Sequence, residues 1–274
     1  MRTSQKILAY PYIVWLIIFI VVPMILVLYF SLSSRDGGIT LENYRRFISP
    51  VYGKVLYRSL KLALISTMFC LVLGYPMAMI IAGADITKRN LMVLLFVLPM
   101  WMNFLLRTYA WMTLLGKNGV INNILGYFNL PALNLLYNNG AVILGMVYNF
   151  IPFMVLPIYS VLAKMDKTLI EAAKDLGANE ITVFRKITLP LSLPGVITGI
   201  TMVFMPAVST FVIPKLLGGG QFMLIGNLVE QQFTYVYDWN FGSAISIIMM
   251  VFILIAMAIM AKYEDPMEES GGLW

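Results

Sequence analysis

The chain is predicted to be an all-α membrane protein with six transmembrane helices, and three observations predict it. Of its 274 residues, 60% are hydrophobic and 12% charged, against roughly 25% charged in a soluble domain. Six runs, near residues 10–31, 60–82, 91–115, 141–163, 191–214 and 244–261, are apolar and long enough to cross about 30 Å of hydrocarbon. Each run is continuously apolar rather than alternating in segments of about ten residues, which favours helices over a β-barrel. With a mean hydropathy of +0.85, the chain cannot hide its apolar surface from water, and the bilayer is its solvent. Residues 1–274 read as one transmembrane domain, with a polar loop at 164–190 between the fourth and fifth runs.

The first run follows Arg2 and Lys6, as a secretory signal would, but extends from Ile7 to Leu32. A signal's apolar region reaches only about 15 residues, so this is a retained first span. An even number of spans places both termini on one side. With the termini inside, Lys88, Arg89, Lys164, Lys167, Lys174, Arg185, Lys186 and Lys262 join Arg2 and Lys6 there, while the later outer loops hold Lys117 and Lys215. The first outer loop dissents, because Arg35, Arg45, Arg46, Lys54, Arg58 and Lys61 lie in or beside it. The net charge of +6 is scattered over loops and forms no soluble basic face of the kind that binds nucleic acid.

The chain has no histidine, which removes histidine metal sites, Ser-His-Asp and Cys-His nucleophile pairs and histidine proton relays. The single cysteine, Cys70, lies inside the second run and reads as a buried, inert thiol. Pro23, Pro76, Pro99, Pro152, Pro157 and Pro206 fall within the spans. Each removes a backbone donor and tends to kink its helix, so ordinary kinked packing and a gating role are both open.

The loop from Asp166 to Pro190 has the punctuation of helices. Thr168 and Glu171 have capping-box spacing, Gly177 suits a helix C-terminus, and Asn179 can cap a second helix that Pro190 follows. Leu169, Ala172, Ala173 and Leu176 recur at helical spacing as an apolar, small-residue stripe. Lys167, Glu171, Lys174 and Asp175 occupy the other face. Two short helices with a tight turn form a hairpin suited to docking another surface. A connector lying on the headgroups is the competing reading.

Glu171-Ala-Ala, Gly177 and Leu189-Pro190, at this spacing and between these spans, resemble the EAA loop of bacterial ABC importer permeases. The resemblance runs from about Ile7 to Lys262. Leu41-Glu-Asn-Tyr44, Leu73-Gly-Tyr-Pro76, Leu98-Pro-Met-Trp101, Arg107-Thr-Tyr109, Leu224-Ile-Gly-Asn227 and Asp238-Trp-Asn-Phe-Gly242 are similar to the first permease subunit of spermidine/putrescine importers. One departure is Asn240, where proline is expected. The resemblance implies a type I importer permease fold in a bacterial plasma (inner) membrane, and the charge distribution favours cytoplasmic termini. Its implied partners are a second permease subunit, two copies of an ATP-binding subunit and an extracellular solute-binding protein. It further implies ATPase coupling through Glu171, Ala172, Ala173, Asp175, Leu176, Gly177 and Pro190. The chain lacks a G-x-x-x-x-G-K-[ST] phosphate loop, so it is not the enzyme: ATP and Mg belong to the partner, and no cofactor is expected on this chain.

A cationic solute calls for carboxylates and aromatic faces. Glu230, Tyr235, Tyr237, Asp238 and Trp239 cluster before the last span, and Trp101, Tyr109 and Trp111 fall in the outer half of the third. An aromatic belt at the membrane interface explains the same residues. Arg107 lies about 24 Å along a third span that begins at Leu91, near its outer boundary. It reads either as a snorkelling anchor or as a path residue paired with Glu230 or Asp238. The same machine carrying another small organic solute or a metal ion fits the sequence too. An ion-coupled carrier fits less well, since no acidic residue stands near a span's midplane.

Overall fold

The computed structural model describes residues 10–34 and 38–262. Arg2, Lys6 and Arg35, which enter the orientation argument, lie outside the described residues. In chain order the helices are α1 (Tyr10–Leu32), α2 (Glu42–Phe47), α3 (Pro50–Gly83), α4 (Ile86–Val97), α5 (Phe104–Leu115) and α6 (Val120–Tyr127). Then come α7 (Asn139–Lys164), α8 (Lys167–Asp175), α9 (Glu180–Ser209), α10 (Val212–Leu217), α11 (Ile225–Gln231) and α12 (Trp239–Ala261).

Five of the six expected spans appear as long helices with extended or shifted ends. Helix α3 starts at Pro50, ten residues before the apolar run, because proline suits a first helical turn. Helix α12 starts at Trp239 because the Asp238 carboxylate caps it, accepting from the Phe241 N–H at 3.2 Å. Asn138 does the same for α7, accepting from the Ala141 N–H at 2.9 Å.

The third span is a correction. Instead of one helix over 91–115, α4 runs into a 3₁₀ turn at Leu98–Trp101 and the chain bends by 91° before α5. Pro99 sits in that turn, and the Asn103 side chain then caps α5 by accepting from Leu105 N at 2.8 Å. The fifth span ends at Ser209 rather than Pro214: Pro206 lies in its last turn, Thr210 is extended, and α10 starts afresh at Val212. Pro190 does not terminate the second loop helix. From Glu180 the backbone stays helical through a π turn at Phe184–Thr188, with Pro190 in the first turn of the segment beyond it.

Helices α3, α7 and α9 form the centre of the bundle. Their contact is made by glycines. A Cβ on Gly74 would meet the Met154 and Val155 side chains at 3.1 and 3.3 Å, and one on Gly199 would meet Met154 Sδ at 2.8 Å. A Cβ on Gly195 would stand 2.8 Å from the Pro157 carbonyl and 3.1 Å from Ile158 Cα. Gly195 and Gly199 thus make a small-xxx-small face on α9, the spacing that lets membrane helices approach to backbone distance. Across the same seam the Tyr75 and Ser192 hydroxyls hydrogen-bond at 2.7 Å. Cys70 is buried in α3, as expected. Helix α1 stands apart, with none of its most apolar window buried within the chain, and packs chiefly along α12.

Gly195→Ala is expected to destabilise the detergent-solubilised chain by about 1–3 kcal/mol, since its Cβ meets backbone that cannot swing aside. Gly53→Ala, with nothing within 4 Å of the new methyl, should not lower stability. Thermal unfolding of the two variants checks the contrast.

Candidate functional site

The loop after α7 folds into the hairpin expected of it, with one change of cap. Asp166, not Thr168, is the N-cap of α8: its carboxylate accepts from the Thr168 N–H at 2.9 Å. That bond from the Thr168 backbone, with a second from its side chain, holds the Asp166 carboxyl below its usual value. A lowered value means that the cap contributes fully at neutral pH and is lost as pH falls through it, below the ordinary aspartate range.

At the other end of α8, Gly177 N donates to Lys174 O at 2.8 Å and Ala178 N to Ala173 O at 3.0 Å. This is a Schellman closure, and it requires the left-handed backbone that Gly177 adopts at φ 82°. Asn179 caps the next helix, accepting from Thr182 N at 2.8 Å, and Lys174 pairs with Glu180 across the turn at 2.7 Å. The stripe is uncovered: Leu176 is 89% exposed and Leu169 47%. Ile170 turns the other way, into a cleft of about 230 Å³ shared with Met79, Leu162, Val183 and Phe184. The hairpin is therefore anchored to the ends of α3, α7 and α9, with its small-residue face left open.

At the opposite end of the bundle, the predicted solute-path residues separate into distinct places. Glu230 on α11 and Tyr235 just beyond it meet at Lys215 of α10. The Lys215 ammonium donates to Glu230 Oε1 at 2.5 Å and to the Tyr235 hydroxyl at 3.3 Å, and lies 5.3 Å from the Tyr235 ring centre. Glu230 borders two cavities. One of about 230 Å³ is lined by Lys215, Phe222, Asn227 and Tyr235, and one of about 530 Å³ by Ser209, Val229, Met249 and Ile253. The second is apolar apart from Glu230 and two serines. The sequence alone points to no site role for Lys215. No helical spacing reveals it, since it faces an acidic residue on the next short helix, a meeting set by tertiary packing.

Asp238 belongs elsewhere. Besides capping α12 it accepts from Arg46 Nη1 at 2.9 Å, and the Arg46 guanidinium rests 4.1 Å from the Phe241 ring centre. Arg58 stacks 4.0 Å over Phe222 and donates to Asn139 Oδ1. Specific partners thus hold part of the positive charge of the segment that follows α1. Asn240 donates to the Ser33 carbonyl, tying the end of α1 to α12, a bond the expected proline could not make. Trp239 packs edge-on against Phe30 and Phe233.

Arg107 corrects its expectation on both counts. The bend removes it from the end of a continuous span, and at 8% exposure it is buried rather than snorkelling. It pairs with neither Glu230 nor Asp238; its Nε and Nη1 are buried without a hydrogen-bond partner. Trp101, 76% exposed at the bend, and Tyr109 are not brought to Glu230, and Trp111 packs edge-on against Tyr148.

A family model described as the inner membrane component of binding-protein-dependent transport systems matches residues 1–267. The chain is 40% identical over 268 residues to the spermidine/putrescine transport system permease protein PotB of Haemophilus influenzae, covering 94% of this chain and 93% of that one. It is also 40% identical over 242 residues to the PotB of Escherichia coli K12, covering 85% and 88%. In structure it resembles a chain of a bacterial ABC transporter involved in alginate import, with a TM-score of 0.81, 96% of each chain covered and 18% identity, which shows a shared fold.

The two roles of Asp238 can be separated. Asp238→Asn keeps a capping oxygen and loses the charge beside Arg46, whereas Asp238→Ala loses both. The alanine variant should unfold more readily than the asparagine variant by about 0.5–2 kcal/mol, the usual worth of an N-cap, in thermal unfolding of the solubilised protein.

Proposed function

The chain belongs to the inner-membrane components of binding-protein-dependent transport systems, and from that membership we propose that it is the permease subunit of an ATP-driven importer of spermidine and putrescine. The observation that carries the cargo is the 40% identity to polyamine permeases over nearly the whole chain. The Glu230 and Tyr235 cluster supports it chemically, because a carboxylate beside an aromatic face suits an alkylammonium ion.

The hairpin is the coupling element. Glu171, Ala172, Ala173, Asp175, Leu176 and Gly177 lie on or close α8, whose open stripe accepts the surface of a separate ATP-hydrolysing subunit on the cytoplasmic side. Two such subunits, a second permease and an extracellular binding protein complete the assembly. ATP and Mg are held by the partner, and this chain supplies the path and the lever. Three things make the hairpin stiff: the Asp166 cap, the Schellman closure at Gly177 and the Lys174–Glu180 pair. Its second arm is the beginning of α9 itself, so Pro190 lies within the lever and does not end it. Thirty helical residues extend for about 45 Å. A push on α8 therefore reaches Ser209, which borders the cavity beneath Glu230.

Gly177→Asp places a Cβ and a charge where the backbone is left-handed and the stripe ends. In the complete membrane-embedded assembly it should abolish solute-stimulated ATP hydrolysis while the subunits remain together. Unchanged stimulation would overturn the coupling role. Glu230→Gln should leave the assembly intact and reduce putrescine uptake at least tenfold, measured in proteoliposomes; undiminished uptake would remove Glu230 from the path.

A further inference from the structure

The geometry points to Lys215 as a built-in occupant of an ammonium-binding site made by Glu230 and Tyr235, holding the place that one end of a diamine or polyamine takes in passage. This deepens, and rests on, the polyamine reading above.

A lysine side chain is a four-carbon alkylammonium, the same chemistry as the end of a polyamine. Its Nζ here has the contacts that such an ion seeks: a carboxylate oxygen, a phenol hydroxyl and the nearby aromatic ring. Hydrogen bonds to Glu230 and then to Tyr235 raise the Lys215 pKa, so the ammonium is fully charged at neutral pH. The site has room for more than the lysine uses. Asn227 lines the same small cavity, and its Oδ1 is buried without a hydrogen-bond partner, so a small side-chain movement that uncovered it would add an acceptor for a further N–H.

Among the described residues Glu230 is the only carboxylate lining either of the two cavities it borders. It lines the wall of both, and among the described residues the larger has no cationic side chain to take the place of Lys215. The side chains of Lys215 and Glu230 are 44% and 19% exposed, so the lysine can swing outward while the carboxylate stays in place. A pair this exposed adds little as a structural brace. Its removal should change binding far more than folding.

Titration of putrescine into the detergent-purified full chain, followed by calorimetry, tests this. Lys215→Met should bind putrescine at least tenfold more tightly than the native chain, with a similar Tm, and adding Glu230→Gln should erase the gain. Equal affinity in the native chain and Lys215→Met, or a gain that survives Glu230→Gln, would overturn the inference. The exchanged pair Lys215→Glu/Glu230→Lys keeps an ion pair but moves the carboxylate, and it should not bind; native-level binding would show a mere brace. The transport reading is tested apart from this, by putrescine uptake through the native assembly. Failure of uptake with the binding contrast intact sinks the cargo and leaves the site; uptake without the contrast sinks the site and leaves the cargo.

Discussion

In hydrocarbon a helix gains nothing by turning a leucine toward a neighbour rather than toward lipid, so membrane helices join where their backbones come closest. Here that closeness is concentrated where Gly195 and Gly199 of α9 lie against Met154, Pro157 and Ile158 of α7, with Gly74 of α3 on the other flank. Dispersion forces and the Tyr75–Ser192 hydrogen bond act across this seam. The remaining geometry follows from it. The hairpin joins the ends of α7 and α9 that the seam holds in register, and the short helices α10 and α11 fill the space beyond the other end of α9.

The peripheral helices follow a different rule. Helix α1 and the outer face of α12 keep large apolar side chains exposed within the isolated chain, as suits surfaces whose solvent is lipid or another membrane helix. Apolar packing of α1 along α12, and of Phe241, Ile245 and Met249 of α12 into the core, is joined at one end by polar bonds, where Asn240 donates to Ser33 and Arg46 pairs with Asp238. The bundle thus has a close-packed centre and a looser edge pinned at one end by a few directional bonds.

Most of the architecture was legible because hydrophobic run length is a local property. Gly177 and Asn179 were legible too, since a left-handed backbone and a side-chain cap each demand few residue types. The Thr168 box failed because Asp166 stands two residues earlier and offers a carboxylate to the same turn. The break in the third span is written in Pro99 and Asn103, a turn followed by a cap, but the continuous apolarity of 91–115 conceals it. The position of Arg107 is hidden with it, because depth along a straight helix does not survive the bend. The meeting of Lys215 with Glu230 was not legible at all. It depends on how α10 and α11 fold back on each other, which is tertiary packing with no signature in residue spacing.

Gly226, in α11, carries a further consequence. A Cβ there would lie 2.4 Å from the Ser209 carbonyl and 2.8 Å from that of Thr210. The tip of the long helix and the helix that bears Glu230 are consequently in bare backbone contact, with no side chain between them to yield. Displacement arriving along α9 has no slack to take up at this junction. Under the coupling role proposed for the hairpin, effort applied there and the setting of the carboxylate would be one mechanical event rather than two events in sequence.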